Sequence, residues 1–123
     1  MIVDDDEDIL YSVDKLLSKK TDYEIIQANG GKKCLELLED QKPDLILLDI
    51  MMPEMDGWDV VEKIHENKDL QDIPIIFLTA KGDKLTQTVA SVSVEDYIVK
   101  PVDINLLIER IEKTLKTKGG NEK

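Results

Sequence analysis

Three consecutive aspartates, Asp4-Asp5-Asp6, follow the apolar residues Met1-Ile2-Val3. Asp49 follows the apolar run Leu45–Leu48. Thr79-Ala80 follows Ile73–Leu78, and Lys100-Pro101 follows Tyr97–Val99. Each is a polar group at the end of a short apolar segment. Carboxylates gathered in one place repel and raise each other's pKa values. A hard divalent cation relieves that repulsion. Mg²⁺ takes oxygen ligands, keeps several waters, and commonly uses one or two protein carboxylates plus phosphate oxygens. A lysine beside it adds a point charge suited to a phosphoryl oxygen. A threonine hydroxyl donates a hydrogen bond to another. Carboxylate nucleophile, metal, lysine and hydroxyl together suit phosphoryl transfer to an aspartate.

Each residue also has a plainer reading. Acids favour a helix N-terminus, which accounts for Asp6, Glu7 and Asp8. Asp49 alone would pass for a turn residue, as would Asp56-Gly57. Thr79 alone would pass for a satisfied hydroxyl, and Lys100 for a solvated cation. The plain readings hold singly and fail jointly, because they leave four ends of four segments aligned by accident.

The 123 residues suit one domain, and 41% hydrophobic with 35% charged residues is a globular balance. Twenty-seven acids against 16 bases leave a net charge of -11. Such a surface repels phosphate backbones and anionic lipid, so direct contact with nucleic acid or membrane is not expected. The one cysteine, Cys34, permits no intrachain disulfide. No apolar run approaches the ~18 residues of a membrane span, and the acids from Asp4 to Glu7 rule out a signal peptide at this N-terminus. The expected location is the cytoplasm.

Two kinds of segment alternate. Met1–Val3, Tyr23–Gln27, Leu45–Leu48, Ile73–Leu78 and Tyr97–Val99 are short apolar runs, as in strands buried on both faces. Helical spacing marks residues 7–19, 31–40, 57–66 and 103–116, the last with Asp103 as N-cap. Residues 83–93 hold Leu85, Val89 and Val92 at helical spacing among poor helix formers, and read as a weak fourth helix. Five β-α units predict a parallel sheet with helices on both faces. Ligands of such sheets bind at the carboxyl ends of the strands. The aspartates, the threonine and the lysine all fall there. Residues 1–116 are expected to form the domain, and 117–123 a flexible tail or truncated linker.

The chain resembles a response-regulator receiver domain of two-component signalling. The matching segments are Ile2-Val3-Asp4-Asp5-Asp6, Pro43 to Asp49, Met52-Pro53-Glu54-Met55-Asp56-Gly57, Ile75 to Ala80 and Tyr97-Ile98-Val99-Lys100-Pro101. Each is weak alone; five in register are specific. The resemblance implies a flavodoxin-like (βα)5 fold with strand order 2-1-3-4-5. It implies Asp49 as phosphoacceptor, with Asp4 and Asp5 as the acidic pocket. The metal, Mg²⁺ or Mn²⁺, would be held by Asp5, Asp49 and the Met51 backbone carbonyl, with Asp4 acting through water. Lys100 would pair with the phosphoryl group, Thr79 would move to bond it, and Tyr97 would turn inward as the aromatic switch. A cis bond before Pro101 is common in the family. The phosphodonor would be a sensor histidine kinase or a histidine phosphotransfer protein. The output would be altered affinity for a downstream effector through the fourth helix, fifth strand and last helix. Such a domain is a switch that catalyses only its own phosphotransfer and slow autodephosphorylation.

Some positions depart from the family pattern. The first strand is short, and the Thr79–Tyr97 interval is one residue under the common length. Two positions that vary in the family and tune the phosphoaspartate lifetime are Met51 and Lys81 here. Bulky Met51 is expected to shield the acyl phosphate, and Lys81 to leave the attacking water unplaced. A phosphorylation-linked homodimer is a further expectation, with Arg110 and Lys113 pairing to Glu95 or Asp96 across a two-fold axis. Two competing readings remain. One is an aspartate-dependent phosphohydrolase of the haloacid dehalogenase type, with Asp4 as nucleophile. The other is a receiver-like interaction module indifferent to phosphorylation.

Overall fold

The structure is a computed structural model that describes residues 1–80 and 94–120. Its elements run β1 (Ile2–Val3), α1 (Glu7–Lys20), β2 (Gln27–Ala28), α2 (Gly31–Leu38), β3 (Ile46–Asp49), α3 (Gly57–Glu66), β4 (Ile75–Thr79), β5 (Asp96–Val99) and a C-terminal helix (Ile104–Gly120). The strands form one parallel sheet in the order β2-β1-β3-β4-β5. The expected order is therefore the observed one.

Strand periodicity divides the core in two. Val3, Ile46, Leu48, Ile75 and Phe77 face α2 and α3, meeting Cys34, Leu38, Val60, Val61 and Ile64. Ile2, Leu47, Ile76, Leu78 and Ile98 face the other way, meeting Leu10, Val13 and Leu17 of α1 and Leu107 and Ile111 of the C-terminal helix. Both faces of β3 and β4 are covered, so their sequences are continuously apolar. Each fully buried side chain of this kind contributes about 1.5–3 kcal/mol.

Local sequence sets the helix ends. The Asp6 carboxylate accepts from the Asp8 and Ile9 amides and caps α1, with Lys19 and Lys20 in its last turn. Asp56, expected as a turn residue, instead caps α3 in a reciprocal pair with Asp59. Asp103 caps the C-terminal helix, as expected, by accepting from Asn105 and Leu106. That helix runs beyond residue 116, to Gly120. The Thr117 hydroxyl bonds the Lys113 carbonyl at 2.9 Å and satisfies one of its late carbonyls.

Three further expectations are corrected or displaced. The second strand is expected over Tyr23–Gln27, yet only Gln27–Ala28 pairs. Its neighbour β1 has two residues, so the ladder has no partner for Tyr23 to Ile25, and the Tyr23 and Ile25 side chains pack on the core instead. The acids expected to pair with Arg110 and Lys113 across a dimer axis also have partners within the chain. Arg110 Nη1 donates to both Asp96 oxygens of its own chain at 2.8 and 2.7 Å, and Glu95 Oε1 accepts from Ile75 N at 2.7 Å. Both acids are already engaged within the chain. The weak helix at 83–93 lies outside the described residues.

Candidate functional site

β1 and β3 are neighbours in register, Val3 beside Leu48. The next residue on each strand is Asp4 and Asp49, so the two carboxylates emerge side by side. Here the strand order reverses, since β2 lies on one side of β1 and β3 on the other. That is where open parallel sheets bind ligands. β4 ends one strand over in Thr79, which is level with Val99 of β5. Lys100 follows, and its side chain reaches back across the sheet. Its Nζ lies 2.9 Å from Asp4 Oδ2 and 3.2 Å from Asp49 Oδ1.

Electrostatics follow from that crowding. Asp4 is fully buried, with Oδ1 accepting from Asp6 N at 2.9 Å and Oδ2 from Lys100. Asp49 is 5% exposed. Its carboxyl is pushed up to about 6, first by burial, then by the Asp4 charge, with Lys100 only partly offsetting both. Burial pulls the Lys100 ammonium down, but the hydrogen bonds and charges of Asp4 and Asp49 outweigh it and its pKa rises. One lysine thus balances two carboxylates, and the site stays short of positive charge.

Asp5 sharpens the deficit. Asp4, Asp5 and Asp49 each offer a carboxylate oxygen, all within 4.8 Å of one another. The set is all oxygen, and Asp5 is exposed. Hard oxygen donors with an open side suit a Mg²⁺-like ion that keeps waters. The donor chemistry therefore fits the divalent cation expected here.

The other expected residues divide by position. Thr79 is buried on β4, and its hydroxyl donates to the Ala80 carbonyl at 3.1 Å. Tyr97 is 49% exposed on β5, beside Phe77 in the ladder, so it stands outward here. Met51 is exposed on the loop after β3. The Lys100–Pro101 bond is cis, as the resemblance implies. Lys81 lies outside the described residues.

Gly57 was missed as a site residue. A Cβ there would sit 2.6 Å from the Asp49 carbonyl oxygen, 2.8 Å from Ile50 Cα and 3.1 Å from the Phe77 ring. Its amide donates to Ile50 O at 2.7 Å. The first turn of α3 therefore rests on the backbone that carries Asp49. The signal was an Asp-Gly pair that begins a helix instead of a turn. Trp58, next in line, meets Phe77 edge-to-face at 4.7 Å and stiffens the same junction.

A doubly wound sheet with acids and a lysine at its switch point defines a class of phosphoryl-handling α/β domains. Within that class, residues 1–112 match the family model described as response regulator receiver domain, and the chain belongs to that family. It is 39% identical over 96% of its length to the sensor histidine kinase TmoS of Ectopseudomonas mendocina. It is 36% identical over 94% to the transcriptional regulatory protein AfsQ1 of Streptomyces coelicolor. It spans 12% and 50% of those relatives' lengths. Among solved structures it resembles a CheY-like response regulator receiver domain protein from Methanospirillum hungatei, at 40% identity and a TM-score of 0.77. That match covers 97% of this chain and 92% of the other. The protein is thus a receiver domain of the response-regulator family, a signalling switch by kinship. No described helix is long and apolar enough to cross a membrane.

Proposed function

We propose that Asp49 accepts a phosphoryl group from the phosphohistidine of a sensor histidine kinase or histidine phosphotransfer protein. The observation that carries this is the pair of contacts from Lys100 Nζ, 2.9 Å to Asp4 and 3.2 Å to Asp49, at one edge of the sheet. An Asp49 oxygen attacks phosphorus in line, and the bond to the donor imidazole nitrogen breaks. Lys100 neutralises charge on the transferred oxygens. Asp5, Asp49 and the Met51 carbonyl, with Asp4 acting through water, would hold a Mg²⁺ or Mn²⁺ ion, which would supply further positive charge to the transferred oxygens. Thr79 then bonds the phosphoryl group and Tyr97 turns inward.

That movement shifts the surface of β5 and the C-terminal helix, which changes affinity for a downstream effector or a second copy of the chain. Met51 shields the acyl phosphate and Lys81 leaves water unplaced, so the phosphorylated state is long-lived. Replacing Met51 with Asn speeds its decay. The domain works in the cytoplasm as a switch and not as a metabolic enzyme, and residues 1–116 suffice for it.

The hydrolase reading has less support. Its nucleophile would be Asp4, which is fully buried and has both oxygens engaged. Intact mass after incubation with Mg²⁺ and acetyl phosphate decides among the readings. An adduct of about 80 Da, one phosphoryl group, is expected on the wild type and not on Asp49→Asn. An adduct that survives Asp49→Asn overturns the proposal in favour of the hydrolase. No adduct on either protein, with its own kinase also inert, favours the phosphorylation-independent module.

A further inference from the structure

The sulfur atoms of the chain are those of four methionines and Cys34. Met1 and Met52 are buried, and Met55 is half-buried. Cys34 is fully buried, and desolvation pushes its thiol up to about 12, so it offers an oxidant no thiolate at neutral pH. Met51 is 65% exposed, the most exposed of the large apolar side chains among the described residues. It lies two residues beyond Asp49 on the loop that follows β3. Exposure governs which sulfur an oxidant reaches first.

We propose that Met51 is the primary oxidation site of this protein, and that its sulfoxide shortens the life of the phosphoryl group on Asp49. The second half rests on Asp49 being the phosphoacceptor. The oxidant class is a peroxide. A lone pair on Met51 Sδ attacks one oxygen of hydrogen peroxide. The S–O bond forms as the O–O bond breaks, sulfur gives up two electrons, and the other oxygen leaves with both protons as water. An apolar thioether becomes a polar sulfoxide. Its oxygen is a strong acceptor that holds water beside the acyl phosphate, where the thioether held none.

The test uses the full chain and graded hydrogen peroxide. Peptide mass mapping reads which methionine gains oxygen. Reduced and oxidised samples are then phosphorylated with acetyl phosphate and Mg²⁺, freed of donor, and followed by intact mass. Met51 is expected to oxidise well ahead of Met1, Met52 and Met55. The oxidised protein loses its phosphoryl group several-fold faster, and methionine sulfoxide reductase restores the slow decay. Met51→Leu loses the peroxide dependence, whatever its own decay rate. Earlier oxidation of Met52 or Met55 overturns the first half. Equal decay in the two states overturns the second half alone. Reduced protein that takes up no phosphoryl group from acetyl phosphate or from its own kinase overturns the second half together with the Asp49 reading.

Discussion

A Cβ on residue 57 would lie 2.6 Å from the carbonyl oxygen of Asp49. Backbone meets backbone there, so the end of β3 and the start of α3 hold one position only because a hydrogen stands where a methyl would. Gly57→Ala forces them apart. The expected cost is about 1–3 kcal/mol of stability, the usual range for overpacking, with slower phosphoryl uptake. Urea unfolding and acetyl phosphate kinetics measure both. Gly30→Ala is the control, since a Cβ there meets nothing within 4 Å.

Asp49 lowers the stability of the fold it serves. Its folded pKa is about 6, above its ordinary value of 3.8. Between those values the folded chain binds the proton more tightly than the unfolded chain. The penalty is absent below about pH 4, grows as pH rises towards 6, and is complete above it. Asp49→Asn should therefore stabilise the metal-free protein at pH 7 by up to about 3 kcal/mol. The gain should shrink as pH falls from 6 to 4. Denaturant titrations across that range check the sign and the window.

The same protonation limits the chemistry. A protonated Asp49 carboxyl is a poor nucleophile, so at Mg²⁺ concentrations too low to occupy the site acetyl phosphate uptake should fall as pH drops through about 6, and saturating Mg²⁺ should move that fall to lower pH. Uptake that shows neither the fall at low Mg²⁺ nor its shift with added Mg²⁺ would count against Asp49 as the attacking group.

Lys100→Ala removes the counter-charge from two buried carboxylates at once. Breaking a buried pair by deleting one partner costs about 3–5 kcal/mol. The loss at pH 7 should approach that figure, and divalent cation should recover part of it. Thermal melts of the variant with and without Mg²⁺ read both effects.

Divalent cation should raise the thermal midpoint of the wild type. A ligand at a hundred times its Kd contributes about 2.7 kcal/mol. Asp5→Ala should abolish most of the shift while leaving the metal-free midpoint nearly unchanged, because Asp5 is exposed. Parallel melts against Mg²⁺ concentration give the comparison.

Strands and the candidate site were legible where burial or chemistry left a pattern, and the strand order came from the family resemblance alone. β3 and β4 are apolar on both faces, and their terminal Asp49 and Thr79 break the run visibly. Asp6 and Asp103 announced their caps by type and place. The second strand misled because Tyr23 and Ile25 alternate like a strand, but alternation records burial and a strand also needs a paired neighbour. Gly57 was opaque for another reason. What matters there is the absence of a side chain against a remote backbone, and a gap leaves no periodicity. The Asp96–Arg110 pairing was likewise hidden, since composition cannot say whether opposite charges meet within a chain or between two.

The three ion pairs between described residues all act on the ends of β5. Asp96, its first residue, is clamped to Arg110 on the C-terminal helix. Lys100, just past its last, is clamped to the centre of the sheet. Between them Tyr97 and Val99 are about half exposed, and Ile98 alone of the three is buried. This border strand is therefore held by its ladder to β4, by buried Ile98 and by a charged anchor at each end. The anchors differ in kind. Asp96–Arg110 sits near solvent, where salt screens it, while the Lys100 anchor is sheltered. Ionic strength should slacken the strand from its outer end first, and a phosphoryl group at Asp49 would pull on the inner one.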